Sequence, residues 1–124
     1  MNSIAVAELT MGLLLACDRR IPDQTIDACS GKWNKKEYGS KSKGLKGSTL
    51  GVIGAGAIGR AVIKRARAFE MNILAWSHGI SREHLADLGV EFVGTDRAAL
   101  LDLAARSDAV TVHVPLVQIG RAHV

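Results

Sequence analysis

The chain is poor in cysteine. Cys17 and Cys29 are the only two among 124 residues, and their spacing matches neither a C-x-x-C pair nor a metal-ligand pattern. A disulfide framework and a thiolate metal cluster are thereby excluded, and core packing is the expected role of both. Aromatic residues are equally scarce, at 4% of the chain. Trp33 and Tyr38 are too little to form a stacking platform, so nucleic-acid binding is not expected despite a net charge of +4. Long hydrophobic runs are missing as well. The most apolar stretch, 9–17, falls far short of the roughly 20 residues that cross a bilayer, and Glu8 and Asp18 flank it. No basic segment precedes an apolar one with a small-residue cleavage site, so no secretion signal and no membrane partner are expected, and the expected location is cytoplasmic.

What is present is concentrated between Leu50 and Ser77. The segment Leu50-Gly51-Val52-Ile53-Gly54-Ala55-Gly56-Ala57-Ile58-Gly59 joins a continuous apolar run, the pattern of a buried parallel strand, to three glycines spaced G-x-G-x-x-G. Gly54 suits a tight turn, Gly56 lets backbone approach a pyrophosphate, and Gly59 lets the next helix press on its strand. The flanks carry the right periods: Ile58, Val62, Ala66 and Phe69 share one helical face, with Arg60, Lys64 and Arg67 opposite. A helix beginning near Ala57 would offer free N–H groups and about half a unit of positive charge to a phosphate.

A second apolar run, Ile73-Leu74-Ala75-Trp76, ends on Ser77 and His78. In a dinucleotide-binding fold the residue closing this strand reads the adenosine ribose. An Asp or Glu there favours NAD, and its absence opens the site to NADP. Ser77 is a neutral hydroxyl, and Arg82, five residues on, is placed to supply charge to a 2′-phosphate. His78 is a further candidate at the same corner. The pattern thus leaves NAD or NADP open as the cofactor.

Around this signature the chain alternates strand and helix patterns. Strands are expected over 49–54, 72–76, 91–93 and 109–114, and helices over 57–69, 82–88 and 97–106, which calls for a parallel sheet in the order 3-2-1-4. The switch-point crevice then lies between the ends of the first and fourth strands. Ahead of them, Asn2 or Ser3 caps a strongly apolar helix over 4–19 that should be buried between lobes or subunits. Pro22 fits the first turn of a second helix that Gly31 ends, with Trp33 packed nearby. Lys32, Lys35, Lys36, Lys41, Lys43 and Lys46 crowd a connector expected to be a solvated loop. The fold class is therefore α/β: a Rossmann-type doubly wound parallel sheet, incomplete at about four strands, preceded by an apolar interdomain helix. The fourth strand leaves an apolar edge, from which poor solubility of the isolated chain is expected.

Taken together, these motifs resemble the D-isomer-specific 2-hydroxyacid dehydrogenases, which include phosphoglycerate, glyoxylate and hydroxypyruvate reductase types. The resemblance covers about 2–116 and rests on four groups of residues: Asn2-Ser3 with Val6-Ala7-Glu8-Leu9, Gly31-Lys32-Trp33, the whole Leu50 to Ser77 signature, and Val112-His113-Val114-Pro115-Leu116. It implies that the amides of Ala57 and Ile58 hold the pyrophosphate, that Ser77 addresses the ribose, and that Val114 and Pro115 line the cofactor pocket. Many members carry Asp where this chain has Ser77. The resemblance further implies a homodimer when intact, a small 2-hydroxy or 2-keto acid as substrate, and an Arg, Glu and His acting from beyond Pro115. A substrate lobe would precede the first helix. Neither His113, at a strand end, nor His84, on an expected exposed helix, is assigned the role of that base, so no catalytic residue is expected within the chain and none of its residues is a metal ligand.

The expected organisation is interdomain or linker helices over 1–31, the lysine-rich connector over 32–47, and an NAD(P)-binding half-domain over 48–117. Residues 118–124, with Ile119 to Val124 lacking a family counterpart, read like a translated sequencing adapter and are expected to be a non-native tail. A non-catalytic dinucleotide-sensing module on the same fold is the alternative to an enzyme part, and a methyl-donor-binding domain is a third reading, since fold alone does not choose.

Overall fold

The computed structural model describes residues 2–78, 85 and 88–114. Along the chain these form α1 (Ser3–Arg19), α2 (Ile21–Cys29), α3 (Lys35–Lys41), β1 (Thr49–Ile53), α4 (Ala57–Ala68), β2 (Asn72–Trp76), β3 (Glu91–Gly94), α5 (Arg97–Arg106) and β4 (Ala109–Val112). The four strands make one parallel sheet in the order β3-β2-β1-β4, the expected Rossmann arrangement. β1 ends one residue earlier than expected because Gly54 turns out of the sheet with φ +97. Its N–H still reaches the carbonyl of Trp76 at 2.7 Å. β4 stops at Val112 rather than Val114. The helix expected over 82–88 lies almost wholly outside the described residues, apart from the fully buried Leu85.

Strand alternation divides the core into two layers, because successive side chains leave opposite faces of a sheet. Leu50, Val52, Ile73 and Ala75 pack with Val62, Ile63 and Ala66 of α4 and with Ala7 and Met11 of α1. Leu74 and Trp76 face the other way, onto Leu103 of α5. Burying a side chain of the Leu or Val class contributes about 1.5–3 kcal/mol, so these contacts dominate the stability of the lobe. Val110 and Val112 of β4, by contrast, stay exposed, which is the apolar edge anticipated above.

The N-terminal part departs from expectation in several places. Asn2 caps α1, its side-chain oxygen accepting from the amides of Ile4 (3.0 Å) and Ala5 (3.4 Å). α1 buries only the stripe through Ala7 and Met11 against α4, while Ile4, Leu9 and Leu13 face outward. Cys17 and Cys29 are both exposed rather than core residues. Cys17 stands six residues past Met11, about 240° round the helix from the buried stripe, and Cys29 ends a helix that buries nothing. Trp33 does not pack either: it is 80% exposed.

The lysine connector is not a plain loop, since its centre forms α3. Lys41 and Glu37 pair one turn apart at 2.9 Å, and Tyr38 and Asn34 both donate to the carboxylate of Asp27, at 2.6 and 3.2 Å. The run of like charge hid this i,i+4 pair and the tether to α2. Gly31 does end α2, with φ +78. Its amide bonds to Ala28 O and that of Lys32 to Asp27 O, the pairing of a Schellman cap.

Tyr38 is the only tyrosine in the chain, so its titration is free of assignment ambiguity. Its hydrogen bond to the Asp27 carboxylate pushes its pKa up to about 12, while the same bond holds Asp27 below its ordinary 3.8. The Tyr38 contribution to stability is thus whole below the ordinary tyrosine value of about 10 and fades as pH rises through 12. That of Asp27 is whole above its ordinary value and fades as pH falls through its depressed one. Phenolate absorbance should rise with a midpoint clearly above 10, and Asp27→Asn should bring it back. An unshifted midpoint in the folded wild-type protein would show that the α2–α3 tether does not persist in solution.

Candidate functional site

The turn from β1 into α4 places the three motif glycines in three different environments. At Gly54, with its left-handed φ, an added Cβ would lie 2.5 Å from His113 O and 2.9 Å from Val114 Cγ1. The end of β4 therefore leans directly on this turn. At Gly59 a Cβ would sit 2.0 Å from Gly54 O and 3.0 Å from Gly54 C, with Val52 Cγ1 at 3.5 Å, so α4 rests on the turn through a bare backbone. At Gly56 none of the described residues lies within 4 Å and φ is −74. Neither strain nor protein packing asks for glycine there.

α4 also starts without a side-chain cap, and no acidic residue lies in its first turn. Its first helical bond is Arg60 N to Gly56 O at 2.9 Å. The amides of Ala57, Ile58 and Gly59 consequently have no helical acceptor and carry the positive end of the helix dipole. Arg60 adds a guanidinium to the same turn, its Nε donating to Gly56 O at 3.3 Å. The lack of a cap at a site rich in N–H donors is what an anionic ligand completes.

The corner expected to meet the ribose lies one strand away. Trp76 is buried and its indole N–H donates to Asp96 O at 2.8 Å. Ser77, the next residue, is 5% exposed. His78 is exposed and meets the Trp76 ring edge-on, centroids 4.4 Å apart. On the far side of the crevice Val114 is partly exposed beside Gly54. Arg82 and Pro115, also expected at this site, fall outside the described residues, as does His84.

His113 points elsewhere. Its Nε2 pairs with Thr111 Oγ1 at 2.7 Å, and burial pushes its pKa below 6.5, leaving a neutral ring tied to its own strand. Two supporting residues escaped the sequence reading. Gly51 lets α5 approach β1, since a Cβ there would fall 2.5 Å from Leu103 Cδ2. Asp96 holds Trp76 through its carbonyl and caps α5 through its carboxylate, which accepts from Ala99 N at 2.8 Å. A Gly inside the first apolar run and an Asp just before a helical period were the available signals.

No His, Cys, Asp and Glu grouping among the described residues could hold a metal ion, and no described helix is long and apolar enough to cross a membrane. A cavity of about 290 Å³ lies between α2 and α3, lined by Trp33, Lys35 and Tyr38 among others, away from the strand ends. The site rests on the turn geometry instead. The open space over Gly56 and the amides beside it, which no described residue fills, leave room for an anionic group at the start of α4.

A parallel sheet with an uncapped glycine turn at its switch point defines a dinucleotide-binding lobe. The model of the D-isomer specific 2-hydroxyacid dehydrogenase NAD binding domain matches residues 11–123, and the chain belongs to this family. It is 47% identical over 115 residues to the D-3-phosphoglycerate dehydrogenase of Methanocaldococcus jannaschii, covering 93% of this chain and 21% of that protein. It is 45% identical over 117 residues to the hydroxypyruvate reductase of Thermotoga maritima, covering 94% and 35%. The apo-structure of D-lactate dehydrogenase from Escherichia coli superposes with a TM-score of 0.79 at 32% identity, covering 94% of this chain and 34% of that one. The chain thus spans about a fifth to a third of the length of its matched relatives.

Proposed function

We propose that the chain is the cofactor-binding part of an NAD(P)-dependent oxidoreductase acting on a 2-hydroxy or 2-keto acid. The observation that carries this reading is Gly56, a glycine for which the described residues give no steric reason, set beside amides that no described group satisfies. In this reading the amides of Ala57 and Ile58 bind the diphosphate, with Gly54 and Gly59 shaping the turn that aims them. Ser77 and His78 meet the adenosine ribose, and Arg82, five residues on in sequence, is a further candidate. Val114 and Pro115 close the opposite wall of the crevice.

Bound NAD(P) supplies a hydride donor or acceptor at its nicotinamide ring. The described residues orient it and offer no free acid or base to the reacting carbon, His113 being neutral and engaged with Thr111. The proton shuttle and the clamp for the substrate carboxylate would come from further polypeptide, in keeping with the greater length of the relatives. A homodimer and a cytoplasmic location complete the proposal.

Calorimetric titration of the full-length protein with NADH and with NADPH tests it. Saturable heat with at least one of them is expected, at micromolar affinity or about −8 kcal/mol. Silence with both removes the cofactor-binding role, and with it the proposed reaction.

A further inference from the structure

The cavity of about 290 Å³ between α2 and α3 has no part in the function proposed above. Its walls come from the end of α1, from α2, from the link 32–34 and from the start of α3. Charge is unevenly shared among them. Asp27 is the one carboxylate on the lining, and it is engaged, accepting from the Tyr38 hydroxyl at 2.6 Å and from Asn34 Nδ2 at 3.2 Å. Arg19, Lys32 and Lys35 line the same cavity, are exposed, and form no ion pair among the described residues. Three cations thus stand against a single engaged anion, an excess that draws an anionic occupant.

The apolar share of the lining is aromatic. Trp33 is 80% exposed, so most of its indole is open to stack on a flat ligand, and a nucleobase offers such a face whatever its identity. The Tyr38 ring is fixed from two sides, by the bond to Asp27 and by the Arg20 guanidinium 5.5 Å from its centroid. The side-chain nitrogens of Gln24 and Asn34 donate within the protein, to Arg19 O and to Asp27, which leaves their amide oxygens as acceptors. The exocyclic amino group of a base is a donor that suits them. One indole and about 290 Å³ hold a single base rather than a strand. That volume lies at the small end of ligand pockets, roughly 300–1,000 Å³, and suits a mononucleotide better than a dinucleotide.

We infer that this cavity is a second nucleotide site, separate from the strand-end crevice, and that it takes a mononucleotide with an amino-bearing base. Trp33 stacks on the base, Gln24 and Asn34 accept from its amino group, and Arg19, Lys32 and Lys35 meet the phosphate. Because these cations are exposed, salt screens them and binding weakens as ionic strength rises.

Isothermal titration of the full-length protein with adenosine 5′-monophosphate at low salt tests this, with NADH and NADPH both present at saturation to fill the crevice. Saturable heat is expected, and inorganic phosphate at the same concentration should give none. Silence with the nucleotide, or phosphate binding as tightly, overturns the inference. Trp33→Ala should weaken the nucleotide about tenfold, the scale of one stacked base, Trp33→Phe should keep most of the affinity, and Lys35→Glu should weaken it about as much as Trp33→Ala. Affinity unmoved by Trp33→Ala and Lys35→Glu would place the nucleotide elsewhere and refute the site. Titrations of the variants with NADPH should match the wild type; a parallel loss of both ligands would assign these side chains a structural role and refute it too. Failure of the wild type to bind NADH or NADPH ends the cofactor-binding reading alone, since the variants are read against the mononucleotide.

Discussion

The Gly59→Ala variant is expected to lose about 3 kcal/mol of stability, the upper part of the usual range for overpacking. Alanine would ordinarily gain about 1 kcal/mol over glycine inside a helix. Here its methyl would stand 2.0 Å from the carbonyl oxygen of Gly54. That oxygen belongs to a backbone turn, so no rotamer change relieves the contact. Relief requires α4 to lift off β1, which opens the layer formed by Val52, Val62, Ile63 and Ala66. For a lobe of this size the urea midpoint should fall by roughly 2 M, taking a slope near 1.5 kcal/mol per M. A midpoint within about 0.2 M of wild type would mean that α4 does not rest on the turn in the way described.

Three residues earlier the same substitution should do the opposite. Gly56→Ala adds its methyl to open space, at φ −74, which alanine adopts freely. Stability should hold or rise by about 0.4–1 kcal/mol, because alanine restricts the unfolded chain. Cofactor affinity, however, should drop about 100-fold, or 2.7 kcal/mol, since the space that the methyl takes is the space the diphosphate needs. Paired melting curves and NAD(P)H titrations on the two variants separate the glycine that builds the turn from the one that serves the ligand. Undiminished affinity in Gly56→Ala would take the diphosphate away from this turn.

Legibility differed sharply between the two halves of the chain. Among the described residues from Thr49 onward, local pattern and tertiary structure agree: β2 and α5 fall where their periodicities put them, and β1, α4, β3 and β4 differ only at an end. Each of these elements is held by a face whose period is written in its own residues. In the first 47 residues the pattern located the first two helices and their ends but misled about burial and about the lysine-rich stretch. Apolar Leu9, Leu13 and Trp33 are exposed, both cysteines are on the surface, and a lysine-rich stretch is helical. Apolar character reports that a side chain favours burial, not which surface provides it. Among the elements from β1 onward α1 packs mainly against α4, and α3 is tethered by Asp27 reaching across from α2.

The glycine motif shows the same division within a single site. That Gly54, Gly56 and Gly59 lie in a turn between a strand and a helix, that the sheet is parallel, and that Ser77 follows the second strand were all legible in spacing and period, which are properties of adjacent residues. Which glycine yields to packing and which leaves room was decided only by the tertiary structure. So were the lean of β4 on Gly54, the approach of α5 over Gly51, and the double engagement of Asp96 with Trp76 and Ala99. Each depends on distances between atoms that lie far apart along the chain, and no local pattern records those distances.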